Sequence, residues 1–350
     1  MSDKPKVYVA GVGMVTAVGA NAEMTAAAVK AGVSAFQETD YFDKDFNKIK
    51  MALVPNEILE GCLDETLLQE GLNSKQARML QLTKIALFEF KGAIPVDVEI
   101  PLFIAGPESI DSNDVGINQL FLECLVSQTN IKLDKPSSRI ISTGRAGGGS
   151  VLGLAFRYFE NSQLDYVIVG GVDTFYDKPT LDYLDKTDRL LCERSTDGFI
   201  PGEGAGFLLL SRIKEEGNKA ACVYEPGSGF EDGHMYSEEV YLGDGLSSAC
   251  SMAINNADAG EVKSIYSSLN GESHFAKEHG VAMTRNSRAL AEKAPVLHPA
   301  DCLGDLGAAT GLIFTGIIAS NIQAGKSLTP ALICCSSDKG QRSAVVVHNS

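Results

Sequence analysis

Apolar positions along this chain fall into two kinds of run. KVYVAGVG (6–13), VEIPLFIAGP (98–107), RIIST (139–143), DYVIVGGV (165–172), GFLLLS (206–211), VKSIYSSLNG (262–271) and ALICC (331–335) are short and bounded by glycine or polar turns, which predicts strands. DYVIVGGV has no polar alternation and reads as a strand buried on both faces. STDGFIPGEGAGFLLLSR (195–212) adds a glycine-rich turn before its strand, and ACVYEPGSGFEDG (221–233) reads as strand then loop. Between these runs the period lengthens to that of a helix. Asn21 caps an alanine-rich stretch to Lys30, stopped by Gly32; Ser74 precedes Met79, Leu82, Ile85 and Ala86 at helical spacing. GINQLFLECLVSQ, SVLGLAFRYFENS, LSSACSMAINNADAG and LIFTGIIASNIQAG predict four more helices. Residues 33–73 read as irregular, 107–136 as loop around one short helix, and ALICCSSDKGQRSAVVV as a closing pair of strands. Strands alternating with helices through both halves predict an α/β protein of two similar layers, with no Pro- or Ser-rich linker between them.

Composition narrows the partners. The 350 residues carry a formal net charge of −15, which argues against nucleic acid, whose phosphates need clustered Lys and Arg. No basic segment followed by an apolar stretch opens the chain, so no signal peptide is expected, and no apolar run reaches the roughly 18 residues of a membrane span. A cytoplasmic location follows as the expectation. Eight cysteines are scattered without a C-x-x-C, which predicts reduced thiols and neither a disulfide framework nor a metal site. No cofactor is expected either. Thr16 stands where G-x-G-x-x-G needs its last glycine, and no Gly-Lys-Ser/Thr completes a phosphate loop around Gly147, Gly148 and Gly149. These three glycines are expected to let a turn and helix pack closely on a neighbour.

Four stretches then carry a family resemblance. They are VYVAGVGMVTAVG before a helix, IISTGRAGGG before a helix and DYVIVGGVD, STDGFIPGEGAGFLLLS, and LGDLGAATG. Together they resemble the β-ketoacyl synthases of the thiolase superfamily, and STDGFIPGEGAGFLLLS matches the most specific of the family's signatures. The resemblance implies a five-layered αβαβα fold of two pseudo-equivalent halves, placed at 1–215 and 216–350 in one compact unit, and a dimer.

It also implies a condensing site that this chain does not spell out. The family's nucleophile is a cysteine at a helix N-terminus, where the macrodipole and free N–H groups favour a thiolate and an oxyanion. Arg145 occupies that position, and a guanidinium has no lone pair to offer. Glu272 stands where the first catalytic histidine belongs, and Gly304 or Asp305 where the second does. The terminal glycine-phenylalanine loop reads CSSDKGQRS. Minor candidates are His274, which a shifted loop would bring in, Cys302, and Cys335 in the stretch where thiolases carry a second cysteine. Ser142, Thr143 and Ser150 have no histidine near in sequence. Glu203 is expected to be architectural.

Three readings of Arg145 stand open: paired with Glu272 or Asp305 as a plug, free to bind an anion, or facing solvent. With all three catalytic roles replaced, the resemblance points to a catalytically silent synthase-like protein. It would act as a binding partner or adaptor, either like the chain-length factors that pair with an active ketoacyl synthase, or in a secretion-associated assembly. The alternative is an acyltransferase of fatty-acid or polyketide type with a non-standard nucleophile.

Overall fold

The computed structural model describes residues 4–67, 71–109, 116–214 and 220–350. The first half runs β1 (Lys6–Thr16), α1 (Ala22–Lys30), β2 (Phe36–Phe42), β3 (Lys48–Ala52), α2 (Asn56–Leu59), α3 (Ser74–Glu89), β4 (Leu102–Ala105), α4 (Gln119–Thr129), β5 (Arg139–Ile141), α5 (Gly147–Asn161), β6 (Tyr166–Thr174), α6 (Lys178–Lys186) and β7 (Glu203–Ser211). The second runs β8 (Ala221–Tyr224), β9 (Gly227–Phe230), α7 (Asp244–Ala257), β10 (Ser264–Ser267), α8 (Ser273–Arg285), β11 (Val296–Leu297), α9 (Ala300–Leu303), α10 (Thr310–Gln323), β12 (Ala331–Ser336) and β13 (Gln341–Asn349).

The two halves repeat one topology. In the first, β5, β4 and β6 are parallel, then β7 and β1 follow antiparallel. In the second, β11, β10 and β12 are parallel, then β13 and the β8/β9 segment follow antiparallel. Pairing of β1 with β8 joins the two into one mixed sheet. Helix α3 packs on β1, β6 and β7 on the outer face of the first half, and α7 on β9, β12 and β13 on that of the second. Between the halves lie α5, against β4, β6 and β13, and α10, against β1, β6, β7 and β12. The result is the five-layered αβαβα arrangement of the thiolase-like fold.

The middle layer explains the sequence pattern. Helix α10 is buried along nearly all its length, so its apolar residues surround it instead of lining one stripe. The glycines that open α5 let these elements meet. A Cβ on Gly147 would sit 2.8 Å from Ala105 Cβ, one on Gly148 2.9 Å from Gly311 Cα, and one on Gly149 2.5 Å from Ser343 Cβ.

Some expectations change. Residues 33–73 are not wholly irregular: β2 and β3 form a separate antiparallel pair, whose polar, mostly exposed β2 gives no clear apolar signal. The cap of α3 is Asn73, not Ser74. Its side chain accepts from Gln76 N and the Gln76 side chain returns to Asn73 N, a reciprocal capping box. The stretch from Ala221 to Phe230 is two strands on β13, not strand then loop. No described helix is long and apolar enough to cross a membrane.

Candidate functional site

Arg145 sits in the single turn Gly144–Ala146 that leads from β5 into α5, and Gly144 takes a left-handed φ of 60° there. The side chain is buried, though a cation at a helix N-terminus opposes the macrodipole. It needs carboxylates and has two. Arg145 Nε donates to Asp305 Oδ2 at 2.8 Å and Nη2 to the same oxygen at 2.5 Å, while Nη1 donates to Asp338 Oδ1 at 2.7 Å. Asp305 is delivered by α9 and the left-handed Gly304 (φ 66°), and Asp338 by the turn between β12 and β13.

Glu272 does not reach for Arg145. It is taken by Arg189, whose Nε and Nη2 donate to its two oxygens at 2.7 and 2.8 Å. Arg189 Nη1 also donates to Asp338 Oδ2 at 2.5 Å and to Tyr236 Oη at 2.9 Å. Asn270 Nδ2 closes the circuit, donating to Glu272 Oε2 at 2.9 Å and Asp305 Oδ2 at 2.8 Å. The sequence Glu272–Arg189–Asp338–Arg145–Asp305–Asn270 therefore closes a ring, with both arginines, Glu272 and Asp305 buried and Asn270 and Asp338 half-buried. Phe275 packs 4.9 Å from the Arg145 guanidinium and Phe199 5.4 Å from that of Arg189.

Burial alone would weaken the charged forms of Arg145, Arg189 and Asp338. For Arg145 it is outweighed by Asp305 and Asp338, so the guanidinium is held above its ordinary range; Asp338 and Glu272 do the same for Arg189. Asp338 lies between two guanidiniums and is held well below the usual carboxylate range despite its burial. Glu108 accepts from the backbone N–H of Asp338 and Lys339, and burial and the Asp338 charge push its carboxyl up. A cavity of about 40 Å³ lies against the ring, bounded by Arg145, Arg189, Asp338, Glu108, Leu184 and Phe199.

The other candidates are not members of the ring, although Cys335 lies beside Arg145 and Asp305. His274 packs between Tyr241 and Phe275, with ring centroids 4.9 and 5.2 Å away, and burial and Arg342 lower its basicity. The Cys302 thiol is pushed up, by burial first and by Asp301 second. Cys335 is buried and its thiol pushed up strongly by burial and by Cys334. Gly304 offers no side chain and serves as a turn. Glu203 accepts from Arg78 Nε and Nη2 at 2.6 Å, from Thr174 Oγ1 at 2.8 Å and from Val54 N at 2.8 Å, and holds the start of β7 in place. Among the described residues, no cluster of three His, Cys, Asp or Glu side chains is placed to hold a metal ion. Sequence reasoning missed Arg189, Asn270, Tyr236 and the role of Asp338. The only signal for any of them was Asp338 in the altered CSSDKGQRS loop.

No protein-family model matches the chain, and no curated protein sequence matches it. Solved structures do. The ishigamide ketosynthase/chain length factor superposes with a TM-score of 0.77 at 15% identity, covering 99% of this chain and all of that one. The ketosynthase ApeO in complex with its chain length factor ApeC from Xenorhabdus doucetiae gives 0.76 at 17%, covering 98% of each chain. A β-ketoacyl synthase from Burkholderia phymatum gives 0.72 at 15%, covering 99% and 100%. The chain has the fold of the ketosynthases and chain length factors over essentially its whole length.

Proposed function

We propose that this chain is a ketosynthase-fold binding protein in which the ring has taken the place of the condensing machinery, and that it works as a protein partner or adaptor. The observation that supports this is Arg145, at the nucleophile position implied by the resemblance, with its guanidinium bound to Asp305 and Asp338. A thioester carbonyl arriving there would meet a paired cation and no nucleophile. The roles that the family assigns to two histidines fall on Glu272 and on Gly304 or Asp305, and both carboxylates are already bound to arginine.

Two forms of this role remain, a chain-length-factor-like partner of an active synthase and an assembly adaptor. The likeness to ketosynthase/chain length factor structures favours the first. Co-purification with a synthase that retains its cysteine separates them. An acyltransferase using another nucleophile has little in its favour at the ring: Cys335 faces it, but burial and Cys334 push that thiol up, away from a thiolate.

The test is intact-protein mass spectrometry after incubation with acyl-carrier and coenzyme A thioesters, with a cysteine-bearing synthase as control. The expected result is a labelled control and no adduct on this chain. A stable adduct that peptide mapping places on any residue would overturn the silent-site reading.

A further inference from the structure

A second cluster of reactive side chains lies on the outer side of the second half and has no part in the ring. Ser267 ends β10 and Cys334 pairs with it in register on the parallel strand β12. Both turn toward the helices above. His279 of α8 presents Nδ1 to both, 3.2 Å from Ser267 Oγ and 3.8 Å from Cys334 Sγ. Cys250 of α7 completes the group, buried in the same core cluster as Cys334 and interacting with it electrostatically. Strand alternation sends the neighbouring Cys335 to the opposite face, against α10 and the ring.

The cluster has the parts of a thiol redox site: one sulfur supported as a thiolate, a base beside it to carry the proton, and a second thiol in the same core. Cys250 and His279 lower the Cys334 thiol from its ordinary range against the opposing effect of burial. Burial likewise works against the charged form of His279, but Cys334 and Glu278 outweigh it and raise the imidazole. The Cys250 thiol is pushed up and stays protonated until it is needed. All eight cysteines are free.

We propose that Cys334 is a site of thiol oxidation by hydrogen peroxide, resolved by Cys250 into a disulfide that ties α7 to β12. In the first step the Cys334 thiolate attacks one peroxide oxygen. The S–O bond forms, the O–O bond breaks, and the departing hydroxide takes the proton of the His279 imidazolium as water. In the second step the Cys250 sulfur attacks the Cys334 sulfenic acid. The S–S bond forms, the S–O bond breaks, and the hydroxyl leaves as water with the Cys250 proton. Two thiols and one peroxide give one disulfide and two waters. The cluster is covered, so the rate follows local opening of α7 and α8, which a small uncharged oxidant exploits best.

The experiment treats the full chain with hydrogen peroxide at neutral pH, blocks the remaining thiols under denaturing conditions, and maps the peptides over time. The expected result is the loss of two hydrogens and a Cys250–Cys334 linkage, formed before Cys124, which is equally buried in the first half, is modified. Cys250→Ser is expected to stop at a Cys334 sulfenic acid that a dimedone reagent captures. His279→Asn is expected to slow oxidation by about tenfold, as a smaller thiolate fraction requires. If a variant does not fold, the wild-type map decides alone. Oxidation of Cys124 at the same rate, a linkage between other cysteines, or an unchanged wild-type mass would overturn the proposal. None of these results depends on whether the ring is catalytically silent.

Discussion

Arg145 and Asp305 lie on opposite sides of a single contact, yet neither can be changed alone at low cost. Removing one partner of a buried ion pair leaves the other charged and desolvated, which costs about 3–5 kcal/mol. Arg145→Met is therefore expected to lower stability by about that amount in urea denaturation, because it strands Asp305 and half of Asp338. Adding Asp305→Leu is expected to recover part of the loss, since the double variant buries no orphan charge. Equal losses from the single and double variants would mean that the two residues do not act as a pair. Asp338 makes a different prediction, in pH. Its carboxyl is held below its ordinary value in the folded state by Arg145 and Arg189. The stability it contributes is complete above the unfolded value of about 3.9 and is lost as pH falls below it. Glu108 has the opposite sign, because its raised carboxyl favours the folded state as it becomes protonated. Asp338→Asn is expected to be less stable at neutral pH and to show a shallower loss of urea midpoint between neutral and strongly acid solution. A slope as steep as that of the wild type would place the acid sensitivity elsewhere.

At the scale of elements, the contact between α5 and α10 rests on glycine. A methyl group on Gly148 would lie 2.6 Å from Leu312 Cδ2 and 2.9 Å from Gly311 Cα, and the second of these is backbone that cannot swing aside. Gly148→Ala is expected to cost about 1–3 kcal/mol by overpacking. Gly153, one and a half turns further along the same helix, has nothing within 4 Å of such a methyl. Gly153→Ala is expected to stabilise by up to about 1 kcal/mol, because it removes backbone freedom from the unfolded chain. Thermal melts of the two variants therefore move in opposite directions. This contact also shows what the sequence made legible. The close approach at Gly147–Gly149, the buried strands and the helix caps at Asn21 all follow from local pattern. The ring does not, because Arg145, Arg189, Asn270 with Glu272, Asp305 and Asp338 come from five separate stretches. Arg145, Glu272 and Asp305 were marked by the resemblance, yet Glu272 has Arg189 and not Arg145 as its partner. Arg189 follows α6 in a polar segment with no periodicity, so nothing local predicts that it turns inward. The same holds for β2, whose pairing with β3 is set by tertiary contact more than by its own residues.

For the whole molecule the question is whether two halves of matching topology are two folding units. The middle layer argues that they are one. Helix α10 belongs to the second half in sequence, but it packs on β1, β6 and β7 of the first as well as on β12. Its Leu312, Ile313, Phe314, Ile317 and Ile318 belong to the same core cluster as Val169, Leu208 and Leu210. Pairing of β1 with β8 carries the backbone ladder across the junction. A fragment of residues 1–215 would leave that face of its sheet open to water, and each large side chain so exposed forfeits about 1.5–3 kcal/mol of burial. Few domains have that much stability to lose. The fragment is expected to lack the near-ultraviolet dichroism of fixed aromatic packing and to bind a hydrophobic dye, while the full chain unfolds in one transition by both circular dichroism and fluorescence. A fragment that melts cooperatively would instead mean that the first half closes its own core and that the ring, which draws Arg145 and Arg189 from one half and Glu272, Asp305 and Asp338 from the other, forms only when two finished units dock.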